Sequence, residues 1–176
     1  LAYSTVSQIG YMMMGLGLSG FSQAAYISGL TAGIYHLVSH AFFKAALFLG
    51  AGAVIHSIEN IYTFNMGGLK KKMPKIYWLM VLATLSLSGV PIFSGFWSKD
   101  AVFLSALVVG TPFALALVLV GVISAALTFA YSIRYISNTF HHEESEFVKD
   151  LEHHGHHVHD APKGMWVPIA ILVLMF

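Results

Sequence analysis

The sequence predicts an all-α integral membrane protein, a multi-spanning helical bundle in which one transmembrane helix is discontinuous. Hydrophobic residues make up 57% of the 176-residue chain and charged residues only 10%, whereas a soluble domain usually carries about 25% charged residues. Apolar stretches of about 20 residues, the length that a helix needs to cross a bilayer, recur along the chain. These stretches do not alternate between polar and apolar residues, so they predict helices rather than the strands of a membrane barrel.

Five helical segments follow from these apolar stretches. The four complete or nearly complete transmembrane helices are predicted over residues 1–20, 23–56, 76–110 and 112–139. Residues 165–176 predict the start of a further transmembrane helix, because about 12 apolar residues are too few to span a bilayer. The chain starts without Met inside a helical pattern, so we expect an internal fragment of a longer protein.

Two hydrophilic loops set the predicted orientation. The first loop, 57–75, carries a cluster of lysines at positions 70, 71, 72 and 75, and the positive-inside rule places it on the cytoplasmic side. The second loop, 140–164, contains seven histidines and is predicted on the same side, two crossings later.

His-rich tracts can bind metal. No spacing here matches a defined metal site and no folded framework is evident, so we expect a solvated, mobile loop with weak, nonspecific metal affinity; a proton-collecting antenna is the alternative.

The third helix is interrupted at its centre by Ser-Gly-Val-Pro-Ile-Phe-Ser-Gly over residues 88–95. Glycines and a proline in mid-membrane break the hydrogen-bond ladder of a helix. Discontinuous helices of this kind are typical of transporters, in which the ends of half-helices face ions. A simple proline kink is the alternative, and the lysine that follows at position 99 favours the transporter-like break.

Lys44 is the first candidate for chemistry, because apolar residues surround it in the second helix. A lysine near the bilayer centre costs about 2.5–3.5 kcal/mol on insertion scales and normally faces the bundle interior or water. Its distance from the predicted helix end at His56 is roughly 18 Å, too far for the side chain to reach the interface. Because burial disfavours the charged form of an ammonium group, a buried lysine can exchange protons near physiological pH.

His36 and His40 precede Lys44 at spacings of four, so the three residues lie on one stripe of the helix. An imidazole takes up and releases protons near neutral pH, and a His–His–Lys stripe inside a membrane therefore predicts a path for protons. Two histidines at this spacing can also bind metal. No glutamate lies between them, and a cationic lysine one turn away opposes a divalent ion, so we predict no metal site here.

Lys99 and Asp100 follow the break in the third helix, and the apolar run resumes through Val109. Both charges therefore lie within the membrane span or at its edge. An adjacent carboxylate can neutralise the lysine or tune its affinity for protons. The alternative is an interfacial ion pair that ends a shorter helix. In the first helix, Ser4, Thr5, Ser7 and Gln8 are types that often form hydrogen bonds between membrane helices, and we predict a structural role for them.

Other classes of partner and cofactor find little support in the composition. The chain has no cysteine, which excludes disulfides and cysteine-ligated iron–sulfur clusters in this chain. A formal net charge of +1 gives no indication of a nucleic-acid partner. A metal transporter would be expected to place carboxylates or more histidines inside the membrane, and a purely structural scaffold leaves the cost of Lys44 unexplained.

Four strings of the sequence resemble one family. They are LAYSTVSQIGY at 1–11, HLVSHAFFKA at 36–45, MGGL at 66–69 and SGFWSKD at 94–100. Together they resemble the antiporter-like membrane subunits of respiratory complex I, in the family's order and over nearly the whole chain. The distal subunit, called subunit L in bacteria and subunit 5 in mitochondria, is the most similar, and it has a counterpart in archaeal F420H2 dehydrogenases.

The resemblance implies a proton-translocating subunit of an NADH:quinone or F420H2 dehydrogenase. It places Lys44 on a central hydrophilic axis with His36 and His40 beside it, and Lys99 nearest the outward exit with Asp100 as its neighbour. It implies no redox centre in this chain, with FMN or FAD and iron–sulfur clusters on peripheral redox subunits. Partners would be the other membrane subunits, including related antiporter-like ones, in a prokaryotic cell membrane, with the mitochondrial inner membrane as the alternative. The competing function is a multi-subunit Na+/H+ antiporter without redox activity.

Overall fold

The computed structural model describes residues 2–154 and 158–176, and the regular structure among them is helical. The α-helices are α1 (Ala2–Leu18), α2 (Gln23–Ile58), α3 (Pro74–Ser88), α4 (Ser94–Val109), α5 (Pro112–Ile136), α6 (Glu146–His153) and α7 (Lys163–Leu174). A 3-10 turn (Thr63–Asn65) follows α2, and a π-helical turn (Ser137–His141) continues α5. The predicted all-α class is thus confirmed.

Two helices among the described residues are long and apolar enough to cross a membrane by length and composition alone: α2, and the helical stretch that begins with α5 at Pro112. At 1.5 Å per residue, α2 is about 54 Å long, well beyond the roughly 30 Å of a bilayer's hydrocarbon core. Helix α2 therefore extends past the membrane or tilts within it.

The break predicted in the third helix separates α3 from α4. Helix α3 ends at Ser88 and α4 begins at Ser94. Gly89 has a φ of 77°, a left-handed conformation that glycine adopts without steric cost, and Ile92 has a φ of 99°. The proline and these two residues end the hydrogen-bond ladder of α3 and redirect the chain. The predicted discontinuous helix is therefore a pair of half-helices.

By its contacts the chain divides into two compact units. Unit 1 comprises residues 2–44, 85–129 and 176, and unit 2 comprises residues 45–84, 130–154 and 158–175. Unit 1 contains α1, the first part of α2, the end of α3, α4 and most of α5. Every candidate residue from the sequence analysis other than the loop histidines lies in unit 1.

Helices α1 and α2 approach closely in unit 1 through glycines. A Cβ atom at Gly15 would lie 2.9 Å from the carbonyl oxygen of Gly29 and 3.2 Å from the backbone nitrogen of Gly33. Gly29 and Gly33 are spaced by four, the small-residue spacing that lets membrane helices pack backbone to backbone. The contact holds the two helices antiparallel, so polar residues early in α1 face the middle of α2.

The His-rich loop of unit 2 contains a short helix, so the expectation that it lacks a folded framework is wrong for the residues described. Helix α6 begins after Ser145, whose hydroxyl accepts a hydrogen bond from the backbone of Val148 at 3.2 Å. That hydroxyl also donates to the carbonyl oxygen of Asn65 at 2.6 Å. This cap was not predicted from the sequence, in which the histidines are the most conspicuous feature of the loop. Two of those histidines, at positions 156 and 157, lie outside the described residues.

Lys72, one of the clustered lysines of the first loop, forms two ion pairs with the second loop. Its ammonium group lies 3.0 Å from Glu144, which precedes α6, and 2.8 Å from Glu152, in the last turn of α6. Burial opposes the charged form of Lys72, but the hydrogen bonds to Glu152 and Glu144 and their charges outweigh it, so the pKa of Lys72 is raised. The two hydrophilic loops of the sequence therefore form one connected structure in unit 2.

Candidate proton-transfer site

Three ionisable side chains of α2 are buried in unit 1, as their stripe predicts. His36 is 0% exposed, His40 8% and Lys44 6%. Helix α1 presents Ser4, Gln8 and Tyr11, all buried, at the helical spacings of four and three that put residues on one face. The site is therefore built from an ionisable stripe on α2 and a polar stripe on α1.

Lys44 reaches α1. Its ammonium group donates a short hydrogen bond to the hydroxyl of Ser4. A hydrogen bond to a charged group contributes about 1.5–3 kcal/mol, which offsets part of the cost of burying the lysine. Ser4 thus belongs to the site, beyond the purely structural role that the sequence predicts for it.

His36 is held on both ring nitrogens. Its Nδ1 lies 2.9 Å from the hydroxyl of Ser98 on α4, and its Nε2 lies 3.1 Å from the side-chain oxygen of Gln8 on α1. The ring edge also packs on Tyr11, with 5.6 Å between centroids. A buried imidazole with partners on both nitrogens is fixed in orientation, so its protonation state depends on what those two partners can donate and accept.

His40, one turn along α2, is less fully bonded. Its Nε2 is buried and has no hydrogen-bond partner among residues 2–154 and 158–176. Its ring stands edge-on to Phe43, with 5.4 Å between centroids. Lys44 and Lys99 are the charged groups that act on the ring of His40.

Lys99 lies 3% exposed on α4, and the break between α3 and α4 provides its partner. Its ammonium group donates to the carbonyl oxygen of Leu87 at 2.6 Å. Leu87 lies in the last turn of α3, where carbonyl groups have no partner within the helix and the helix dipole favours positive charge. The ammonium group also lies 5.8 Å from the ring centroid of Tyr11, within the range of a cation–π interaction.

Asp100 does not join this arrangement. Within the described part of the chain, no ion pair connects it to Lys99, and it is half-buried where Lys99 is buried. Neighbours along a helix do not face each other. The expected neutralisation of Lys99 by Asp100 is therefore not observed, and the carbonyl of Leu87 takes that place.

Gly95 brings the two half-helices together at this point. A Cβ atom there would overlap the carbonyl oxygen of Ser86 and lie 2.7 Å from its carbonyl carbon. The first turn of α4 can therefore approach the end of α3 only because position 95 has no side chain. That approach carries Ser98 and Lys99 to their partners.

A family model described as NADH:quinone oxidoreductase/Mrp antiporter, TM, matches residues 1–128. The chain belongs to this transmembrane family. The predicted family and the predicted membrane location are confirmed, and bacterial relatives support a prokaryotic membrane.

Two relatives show how much of a family member this chain represents. NADH-quinone oxidoreductase subunit L of Rickettsia bellii is 39% identical over 173 residues, which cover 98% of this chain and 24% of the relative. NADH-ubiquinone oxidoreductase chain 5 of Arabidopsis thaliana is 38% identical over 175 residues, covering 99% of this chain and 24% of the relative. The chain therefore spans about a quarter of the length of the curated relatives it matches.

Two solved structures resemble the whole chain. A chain of the membrane-bound sulfane sulfur reductase, an archaeal respiratory membrane complex, matches with a TM-score of 0.83 and 32% identity over 99% of this chain and 26% of its own. A chain of the Mrp complex from a Dietzia species matches with a TM-score of 0.75 and 25% identity over 99% of this chain and 38% of its own. Each of these two complexes thus contains a chain in which this fold recurs.

Three residues without a predicted chemical role contact the ionisable side chains. Gln8, Tyr11 and Ser98 contact His36, and Tyr11 also faces Lys99. The spacing of Ser4, Gln8 and Tyr11 on α1 was a usable signal, because it matches a face opposite the ionisable stripe. Ser98 gave no such signal, since its contact with α2 depends on how α4 starts after the break.

Proposed function

We propose that this chain is part of a proton-translocating membrane subunit of a respiratory dehydrogenase of the NADH:quinone or F420H2 type. The observation that carries the proposal is a set of four buried ionisable side chains in unit 1, namely His36, His40, Lys44 and Lys99. Polar groups of α1 and α4 and a backbone carbonyl of α3 contact His36, Lys44 and Lys99. Buried charges in membrane helices are costly, and function is the usual reason for keeping them.

In the proposed mechanism a proton moves from Lys44 toward Lys99, with His36 and His40 as intermediate carriers. A charge or conformational change in a neighbouring subunit alters the proton occupancy of the lysines in turn. The protonated form of Lys99 is stabilised by the carbonyl of Leu87 and the end of α3. Movement of α4 relative to α3 would weaken that stabilisation and release the proton.

The proposal places the redox chemistry elsewhere. Cysteine-ligated iron–sulfur clusters cannot be held by a chain without cysteine. From the similarity to subunits of respiratory complexes we propose that FMN or FAD and the iron–sulfur clusters are held by peripheral partner subunits, and that the other membrane subunits include related antiporter-like ones. Asp100 remains a candidate for tuning proton transfer at the edge of the span, although it does not pair with Lys99.

Lys44→Ala in the full-length parent complex tests the central claim. We expect the complex to assemble and to lose most proton pumping, measured with a pH-sensitive dye in membrane vesicles, because the variant removes an ionisable group from the stripe. Lys71→Ala is the control, since Lys71 is an exposed loop lysine. Full pumping by an assembled Lys44→Ala complex would refute the proposal.

The second candidate is a subunit of a multi-subunit Na+/H+ antiporter, favoured by the similarity to a chain of the Mrp complex. Gentle purification of the parent protein with mass spectrometry of its partners separates the two. Flavin and iron–sulfur subunits in the preparation would support the dehydrogenase, and their identity would indicate the electron donor. Small membrane subunits alone would support the antiporter.

A further inference from the structure

The geometry points to Ser98 as a hydroxyl switch that couples the protonation of His36 to the start of α4. This inference rests on the proposed function and adds to it a positioning residue outside the ionisable set. The hydroxyl of Ser98 lies 2.9 Å from Nδ1 of His36 and 3.3 Å from the carbonyl oxygen of Gly95. Both Ser98 and His36 are 0% exposed, so bulk water does not compete for these contacts.

Gln8 fixes the other side of the ring. Its side-chain oxygen lies 3.1 Å from Nε2 of His36, and an amide oxygen accepts a hydrogen bond from Nε2 in the tautomer that carries its proton there. In that tautomer the proton of His36 that can come and go is the one on Nδ1, which faces Ser98.

A serine hydroxyl has a single proton, so Ser98 has two arrangements. When His36 is neutral, Ser98 donates to Nδ1. When a proton reaches Nδ1, that N–H donates to Ser98, and the hydroxyl turns to donate to the carbonyl of Gly95. The two states differ by one proton on the imidazole and one hydroxyl rotation, and no other bond changes.

The hydrogen bond from Ser98 to Gly95 has a simpler interpretation, because serines in helices commonly bond to a carbonyl one turn back. Ser105, on the same helix, shows that simple case: its hydroxyl is 2.7 Å from the carbonyl of Val102. The corresponding distance at Ser98 is 3.3 Å. The longer bond fits a hydroxyl that is shared with His36 rather than committed to its own helix.

The position of Ser98 gives the switch a mechanical consequence. Gly95 is the residue that lets α4 approach α3, and Lys99 follows Ser98 directly. The groups that face His36 and can influence its charge are Lys99 from α4, His40 from α2 and the ring of Tyr11 from α1. Protonation of His36 thus changes the hydrogen bonding of the turn that carries Lys99.

The test compares variants of equal volume in the full-length parent complex. Ser98→Thr keeps a hydroxyl and Ser98→Val does not, although the two side chains have nearly the same volume. A change in packing should therefore affect both variants equally, whereas loss of the switch should affect only Ser98→Val. Ser98→Ala removes the hydroxyl without added volume, and Ser105→Ala is its control on the same helix. Protons pumped per electron are measured in membrane vesicles after assembly is checked on native gels.

We expect Ser98→Ala and Ser98→Val to lower the pumping ratio about tenfold or more, a modest effect for losing a proton-transfer partner, while Ser98→Thr and Ser105→Ala pump normally. Pumping by Ser98→Ala equal to that of Ser105→Ala would overturn the inference. An equal loss in the threonine and valine variants with normal pumping by Ser98→Ala would overturn it too. If Lys44→Ala abolishes pumping while Ser98→Ala does not, the proposed function stands without the switch. Full pumping by Lys44→Ala would instead remove the function itself.

Discussion

Replacing Gly95 with alanine should open the contact between α3 and α4. The added Cβ would overlap the carbonyl oxygen of Ser86 and lie 2.7 Å from its carbonyl carbon. Because two carbon atoms pack best at about 3.5–4.0 Å, the two half-helices must separate by about 1 Å. Overpacking of this kind typically costs about 1–3 kcal/mol of stability.

The same displacement should disconnect Lys99. Its ammonium group now lies 2.6 Å from the carbonyl oxygen of Leu87, and an opening of about 1 Å would lengthen this beyond a hydrogen bond. A misplacement of about 1 Å in a reacting group can cost about 100-fold in rate. We therefore expect Gly95→Ala to lower proton pumping per electron by at least about tenfold.

The assay is proton pumping in membrane vesicles that contain the assembled parent complex, normalised to the rate of electron transfer. Gly17→Ala is a matched control, because it adds the same methyl group to a helix of unit 1 where nothing lies within 4 Å. Normal assembly and pumping by Gly95→Ala, indistinguishable from Gly17→Ala, would show that the close approach of α3 and α4 does not position Lys99.

Three further substitutions separate the roles of other contacts. Tyr11→Phe removes the hydroxyl that donates to the carbonyl of Gly121 at 2.6 Å but keeps the ring near Lys99. We expect the free energy of unfolding, measured by thermal unfolding, to fall by about 1 kcal/mol while proton pumping is retained. Lys72→Gln should increase proteolysis near α6 by removing both ion pairs, while pumping stays normal. Because the pKa of Lys72 is raised, the ion pairs stabilise the folded loop fully at every pH below about 10. The resistance of this loop to proteolysis should therefore not change from pH 6 to 9. Ser145→Ala should destabilise α6 by about 1 kcal/mol in hydrogen exchange, since it removes the helix cap. The loop histidines are expected to matter little, and a large loss of pumping on replacing His153 and His154 would contradict that.

The sequence predicted the ionisable residues of the site because their burial is improbable without a function. A lysine surrounded by apolar residues far from a helix end has few explanations, and helical spacing then placed His36 and His40 beside Lys44. The all-helical class followed from composition and hydrophobic runs. The polar partners were harder to predict, because serine, glutamine and tyrosine occur in membrane helices for many reasons. Only the pairing of α1 with α2 shows which of them contact the stripe.

The position of Asp100 shows a different limit of sequence reasoning. Adjacency in sequence suggested a pair with Lys99, but consecutive residues on a helix point about 100° apart. The structure satisfies Lys99 with a backbone carbonyl that the break in the helix leaves without an internal partner. The sequence already linked the break to the lysine that follows it, and the structure shows that the break supplies the hydrogen-bond partner of Lys99.

This choice of partner bears on how a proton could leave Lys99. A carboxylate beside the lysine would stabilise its charge and could also take its proton, which would hold the proton locally. A backbone carbonyl stabilises the ammonium group but does not accept its proton, so the proton can leave only to another ionisable group or to water. Stabilisation by the end of α3 also depends on geometry, because the dipole effect falls off within the last turn. A small movement of α4 would then change the stability of the protonated lysine without any charged partner moving. Because Gly95 sets the distance between α3 and α4, the proposed release of the proton depends most on this residue.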